Sequence, residues 1–118
     1  MPDLYLLFGE ALASPSEDMF AAEYATSSIF DPDPDGPEPD YDAIVSYLRQ
    51  VWTAAHITVR EIRERTGMSR AAFAKATAIP LRTLENWEST SATASRACPP
   101  YVRLMLAQIC GIVDLIHI

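Results

Sequence analysis

Apolar residues recur every three or four positions along most of the 118-residue chain, and this spacing predicts an all-α fold. In the N-terminal part the spacing favours two short helices, and Ser16 is placed to cap the second of them. Ile44, Leu48 and Val51 then predict a connecting helix over about 42–55. Both the N-terminal part and this connecting helix are therefore expected to be helical.

The next stretch carries local signals for three short helices in succession. Thr58 and Glu61 have the form of a capping box, in which the threonine side chain accepts from an amide of the first turn and the glutamate reaches back to the cap amide. Gly67 ends that helix. Ser69 is placed to cap the second helix. After a turn, Pro80 can begin the third, because a proline in the first turn loses no intrahelical hydrogen bond.

A final helix is predicted from Pro99 and Pro100 onward. It follows a Ser- and Thr-rich run over 89–95, which favours a loop because these side chains compete for backbone hydrogen bonds. This helix is apolar on nearly every side as far as Leu115. One small domain can hardly bury such a surface alone, so we expect part of it to contact the N-terminal helices or a second subunit.

The segment 31–40 reads DPDPDGPEPD, and its four prolines cannot continue a helix because they lack amide protons. We therefore expect an acidic extension over 1–43 and a helix-turn-helix domain over 44–118. The segment also has the spacing of a calcium loop, with candidate positions Asp31, Asp33, Asp35, Gly36 and Asp42. Its prolines remove amides that such a loop uses, so we interpret it as a solvated linker without a metal.

The net charge of −7 conceals a division along the chain. Residues 1–43 contain eleven acidic residues and no Lys or Arg, whereas all nine basic residues lie after position 43, against five acidic ones. The second part is therefore suited to a polyanion, and the first part to a protein partner.

The run from Met68 to Glu88 contains what a helix-turn-helix needs in order to brace one helix against a duplex. Phe73 and Ile79 are bulky residues for the core, and Ala74 is small enough for a close helix crossing. Leu84 and Trp87 form an inward pair on the third helix, so core packing is a better interpretation of Trp87 than base stacking.

The same run resembles the phage-repressor-like (Xre/Cro-type) helix-turn-helix family over about residues 58–106. The family elements Leu-Ser-Gln, Phe-Ala-Arg, Gly-Val-Ser, Thr-Val and Trp-Glu are matched without gaps by Met68-Ser69-Arg70, Phe73-Ala74-Lys75, Ala78-Ile79-Pro80, Thr83-Leu84 and Trp87-Glu88. The resemblance implies a lambda-repressor-like domain. Ala78 replaces the usual turn glycine, Arg70 replaces a glutamine, and the loop after Glu88 is about four residues longer than in close relatives.

Carried over residue by residue, the resemblance implies a DNA-binding site on the second and third short helices. Its base-reading residues are Leu81, Arg82 and Asn86, which suit a thymine methyl, guanine and adenine respectively. Its phosphate-contacting residues are Ser69, Arg70 and Lys75. Glu85 on the same face would favour cytosine or repel phosphate. Arg60, Arg63 and Arg65 instead lie near Glu61 and Glu64, which predicts an exposed, salt-bridged face.

The implied function is a sequence-specific transcriptional regulator that binds double-stranded DNA as a homodimer. The alternative is a protein-interaction module, for example an antitoxin-like protein, in which the helix-turn-helix is a scaffold and the acidic segment binds a partner. Both functions could be combined, or the acidic segment could cover the basic face until a partner removes it.

Other function classes have little support in the sequence. His56 and His117 lack the neighbours of a catalytic triad or a metal site, so we expect no enzyme, cofactor or metal. Cys98 and Cys110 lack metal-motif spacing and are interpreted as reduced, structural thiols. The chain has no basic signal region and no apolar run long enough for a membrane span, which predicts a cytoplasmic protein without membrane contact.

Overall fold

A computed structural model describes residues 3–26, 40–89 and 98–118. All regular secondary structure in these ranges is α-helical, which confirms the predicted all-α class. The helices are α1 (Leu4–Ala13), α2 (Glu17–Ala25), α3 (Tyr41–His56), α4 (Val59–Thr66), α5 (Arg70–Thr77), α6 (Leu81–Glu88) and α7 (Pro100–Ile109). The prolines of 31–40, four of the five calcium-loop positions and most of the predicted loop over 89–95 lie outside the described residues.

The chain divides into two compact units. The first comprises the described residues of Met1–His56 together with Val113–Ile118, and the second comprises those of Ile57–Ile112. This division differs from the boundary at 43/44 that charge and prolines suggested. The reason is that α3 packs on α1 and α2, so it belongs to the first unit.

The core of the first unit lies where α1 and α2 pack on α3. Leu7, Phe20, Leu48 and Val51 are fully buried there. As predicted, Ser16 caps α2, with its hydroxyl oxygen accepting from the Met19 amide at 3.3 Å. The cap sets the direction of α2 after the turn that follows α1.

The second unit begins with the predicted threonine cap, but the Glu61 carboxylate contacts the hydroxyl of Thr58 rather than its amide as predicted. The Thr58 hydroxyl oxygen accepts from the Glu61 amide at 3.1 Å, while the Glu61 carboxylate accepts from the Thr58 hydroxyl at 3.2 Å. Helix α4 ends as predicted at Gly67, whose φ of 74° lies in the left-handed region. Ser69 then caps α5 by accepting from the Ala72 amide at 3.2 Å. Local signals therefore determine the ends of these helices.

The last helix is shorter than the apolar pattern predicted. Helix α7 ends at Ile109, because Gly111 takes a φ of 75° and the Ile112 amide donates back to the Ala107 carbonyl at 2.9 Å, a glycine-based helix stop. Beyond it, Val113 and Leu115 are buried in the first unit. The tail thus belongs to the first unit, and it contacts α3, where the Asp114 amide donates to Gln50 Oε1 at 2.8 Å.

Ala78, between α5 and α6, has a φ of 61°, so the turn accepts a left-handed alanine. We expect Ala78→Gly to raise the free energy of unfolding of the second unit by about 0.5–1 kcal/mol. Glycine removes the Cβ strain of the left-handed conformation, and this gain exceeds the loss that comes from the greater entropy of glycine in the unfolded chain. The change can be measured by urea unfolding with Trp87 fluorescence in a Trp52→Phe background, since Trp52 and Trp87 are the two tryptophans and lie in different units.

The matched control is Ala72→Gly, an exposed helical position of α5. It should lower the free energy of unfolding by about 0.5–1 kcal/mol. Destabilisation by both substitutions would contradict the left-handed conformation of Ala78.

Candidate nucleic-acid interface

Helices α5 and α6 and the turn between them form one segment. The buried side chains of both helices hold this segment in the second unit. Phe73 of α5 and Leu84 of α6 are fully buried, and the two helices pack on each other. The Thr77 hydroxyl donates to the Phe73 carbonyl at 2.7 Å and accepts from the Ile79 amide at 3.4 Å. These bonds tie the turn to the end of α5. Ile79 and Trp87 are half-buried rather than part of the fully buried core.

Every side chain that the sequence assigned to DNA contact lies on the surface of this segment. The exposed set is Ser69, Arg70, Lys75, Leu81, Arg82, Glu85 and Asn86. Four of these residues, Ser69, Arg70, Leu81 and Glu85, line one open depression together with Arg63 and Ala71. Lys75, Arg82 and Asn86 are exposed but do not line it. The depression thus joins the beginning of α5 to the beginning of α6.

Glu88 was not among the site residues expected from the sequence. Its carboxylate forms a buried ion pair that attaches α6 to Arg63 of α4. Its side chain is fully buried, and it accepts from Arg63 Nε at 3.0 Å and from Arg63 Nη2 at 2.8 Å. Arg63 also donates from Nη1 to the Met68 carbonyl at 3.0 Å. Leu84 and Glu88 are four residues apart, so a helical wheel places Glu88 on the inward face, and this signal could have found it.

The expectation that Arg63 belongs to an exposed pair on α4 is therefore wrong, because its side chain reaches across to α6 and is only 15% exposed. Arg60 does form the expected type of pair, with Glu64 at 2.9 Å. Arg70 is intermediate between the mostly buried Arg63 and the exposed Arg60. Its Nε is 3.5 Å from Glu88 Oε1 and about half of its side chain is exposed, so the guanidinium is oriented by a buried carboxylate at the edge of the depression.

Comparison of the chain with protein-family models, curated proteins and solved structures finds no match. The resemblance of residues 68–88 to the phage-repressor-like family therefore stays a prediction from the sequence.

The Arg63–Glu88 pair couples the second unit to pH. The hydrogen bond from Arg63 lowers the pKa of Glu88 below its ordinary value, and the same bond raises the pKa of Arg63. A carboxylate with a lowered pKa in the folded state stabilises that state fully above its unfolded pKa, about 4.3 for glutamate. This contribution is lost as the pH falls from there through the lowered pKa.

We expect Glu88→Gln to reduce the acid sensitivity of the second unit. At neutral pH the wild type should exceed the variant in free energy of unfolding. This difference should shrink below about pH 4.3, where the glutamate of the unfolded chain becomes protonated, and it should vanish only below the lowered pKa of folded Glu88. Urea unfolding followed by Trp87 fluorescence at a series of pH values measures the difference. The contributions of the other carboxylates cancel in it, because they are the same in both proteins. A difference that stays constant down to the acid limit would contradict the ionised pair.

The remaining candidate groups are engaged in structural contacts. His56 Nε2 is 2.8 Å from the Ala11 carbonyl oxygen, and its ring stacks on Trp52 with centroids 4.2 Å apart. His117 Nε2 is 3.5 Å from Asp114 Oδ1. Both cysteines are free, and burial raises the pKa of the Cys98 thiol to about 11.

Within the ranges that the structure covers, no group of three or more His, Cys, Asp or Glu side chains is arranged to hold a metal ion. None of the described helices combines the length and apolar composition needed to cross a bilayer.

Proposed function

We propose that the chain is a sequence-specific regulator of transcription that binds double-stranded DNA through the exposed face of α5 and α6. The observation that carries the proposal is that Ser69 and Arg70 share one open depression with Leu81 and Glu85. A surface of this kind brings phosphate donors and base-reading side chains to the same side of the molecule.

The exposed side of α6 supports this proposal chemically. Its outward residues are Leu81, Arg82, Glu85 and Asn86, whereas Leu84 and Glu88 point inward. Arginine can pair with guanine, asparagine with adenine, and leucine can touch a thymine methyl in the major groove. The described residues of the second unit carry seven Arg or Lys and four Glu, so its charge suits a polyanion.

A stripe of exposed apolar residues on α7 supports the proposed homodimer. Tyr101, Met105 and Ile109 follow each other at intervals of four residues and are all more than half exposed. Pairing of two copies through this stripe would bury it. A dimer of this kind suits a two-fold DNA site, in which half-sites lie about 34 Å or one helical turn apart.

We expect Arg82→Ala and Arg70→Ala to weaken DNA binding in different ways. Loss of Arg82 should cost about 1–3 kcal/mol and relax preference at one base pair. Loss of Arg70 should weaken binding to all sequences and lower the salt slope by about 1. Titrations of the full chain at several salt concentrations, on a DNA site selected by the wild type, measure both effects.

Arg65→Ala is the matched control, because Arg65 is an exposed cation of the same unit that lies on α4, outside the proposed face of α5 and α6. Arg65→Ala should change base preference less than Arg82→Ala does, and it should lower the affinity less than either Arg82→Ala or Arg70→Ala does. If neither Arg82→Ala nor Arg70→Ala weakened binding to the selected site, the assignment of this face would be wrong.

A second candidate function is an antitoxin-like or other protein-interaction module. It is favoured by the first unit, whose described residues contain eight acidic side chains and the single basic side chain of Arg49. An acidic surface of this kind repels nucleic acid and attracts cationic protein. The two candidates are compatible, because they use different units.

A further inference from the structure

Helix α1 is apolar on its outward side as well as on its buried side. Leu7, Phe8 and Ala11 face the core of the first unit. The outward residues, which we call the α1 face, are all exposed: Tyr5, Leu6, Gly9, Leu12 and Ala13. Tyr5 is 91% exposed. A surface helix ordinarily presents charged residues on this side, so an apolar outer face indicates an interaction site.

The polar groups near this face leave its centre apolar. Glu10 is the one charged residue of α1, and its carboxylate accepts from the Tyr24 hydroxyl at 3.1 Å. Gly9 adds no side chain, and a Cβ built there would meet no atom within 4 Å. The α1 face is therefore open enough for another backbone to approach closely.

The charge of the first unit indicates what kind of partner fits this face. Arg49 is the only arginine or lysine among the unit's described residues, and it is already paired with Glu17 at 3.1 Å and with Asp18 at 2.8 Å. The acidic side chains of the same residues are Asp3, Glu10, Glu17, Asp18, Glu23, Asp40, Asp42 and Asp114. This surplus of negative charge disfavours binding of a second copy of the unit, a nucleic acid or an anionic bilayer. It favours a partner that carries positive charge.

We propose that the α1 face docks a basic amphipathic helix of a partner protein. The apolar stripe of that helix packs on Tyr5, Leu6 and Leu12, with its closest approach at Gly9, as in other complexes in which an amphipathic helix binds an apolar surface. Its lysines or arginines face the acidic side chains of α1, Asp3 at its beginning and Glu10 within it. The interaction uses the first unit and does not depend on DNA binding by the second.

The test uses the full chain and a fluorescent peptide of roughly 18 residues, made of Leu and Lys with leucines at helical spacing. Anisotropy titration should show binding by the wild type and at least about tenfold weaker binding by Tyr5→Glu. Tyr5→Glu adds a negative charge, so general attraction between opposite charges would tighten binding instead. The matched control is Tyr41→Glu, which changes an exposed tyrosine of α3 in the same unit and should leave the affinity unchanged.

Gly9→Glu is a second variant that keeps the test interpretable if Tyr5→Glu disturbs folding. Glutamate has a higher helix propensity than glycine and meets open space at this position, so the fold should be retained while peptide binding falls. A peptide of Leu and Glu with the same spacing should not bind.

Three results would overturn the proposal. The first is absence of Leu/Lys peptide binding by the wild type. The second is equal or tighter binding by well-folded Tyr5→Glu and Gly9→Glu, or equal weakening by Tyr41→Glu. The third is a wild-type dimer in sedimentation that Tyr5→Glu dissociates, since the occupant of the α1 face would then be a second copy of the chain.

Discussion

Replacing Arg63 with methionine will lower the free energy of unfolding of the second unit by about 3 kcal/mol, because it leaves the Glu88 carboxylate buried without its bidentate partner. Glu88 has no exposed side-chain surface, and Arg70, at 3.5 Å, offers a weaker contact than the 2.8–3.2 Å bonds of Arg63. Urea unfolding followed by Trp87 fluorescence in the Trp52→Phe background measures the loss.

Arg60→Met is the control, since it removes the same charge from the same helix at an exposed pair and should cost less than about 1 kcal/mol. Adding Glu88→Leu to Arg63→Met should restore much of the lost stability, because an apolar pair can replace a buried ion pair. Equal effects of Arg60→Met and Arg63→Met would show that the buried pair does not hold α6.

Truncation of Leu84 to alanine should lower the free energy of unfolding of the second unit by about 2–5 kcal/mol. Leu84 is fully buried, and Leu84 and Glu88 are the two buried residues of α6. The loss combines the transfer energy of the removed methyl groups with the cavity that they leave. Since α6 carries the proposed base-reading residues, its attachment at Leu84 also determines their placement. The same urea unfolding experiment measures the effect.

Leu81→Ala is a matched control on the same helix, because it makes the same chemical change at a residue that is 42% exposed. It should cost much less stability than Leu84→Ala, yet it should weaken binding to a DNA site selected by the wild type. If Leu81→Ala destabilised the unit as strongly as Leu84→Ala, the inward and outward faces of α6 would be misassigned.

The ends of most helices could be predicted from the sequence, because they depend on neighbouring residues. Ser16, Thr58 and Ser69 each cap a helix where a hydroxyl side chain precedes a helical pattern. The early end of α7 also has a local signal, Gly111, which the continuous apolar pattern beyond Ile109 concealed.

Interactions between distant segments could not be predicted in the same way. Arg63 and Glu88 are 25 residues apart, and Arg63 has nearer acidic residues on α4 that made a local pair the simpler expectation. The place of α3 in the first unit depends on its packing against α1 and α2, whereas charge and prolines marked only the segment before it. Burial and long-range pairing are decided by the whole fold rather than by local patterns.

The candidate DNA-contacting residues are those that the resemblance to the phage-repressor-like family implies, and the spacing of buried and outward positions agrees with them. This spacing places Arg82 and Asn86 outward once Leu84 is placed inward. The orientation of Arg70 by Glu88 could not be predicted from the sequence, since it depends on a carboxylate 18 residues away on another helix.

The measurement that tests DNA recognition most directly is selection of bound duplexes from a random pool by the full chain. We expect enrichment of a two-fold related sequence with half-sites about one helical turn apart. We also expect Arg82→Ala to relax one position in each half-site, since each good base contact discriminates by about 1–3 kcal/mol. No enrichment over the starting pool, or enrichment of the same sequence with unchanged preference by Arg82→Ala, would contradict recognition through α6.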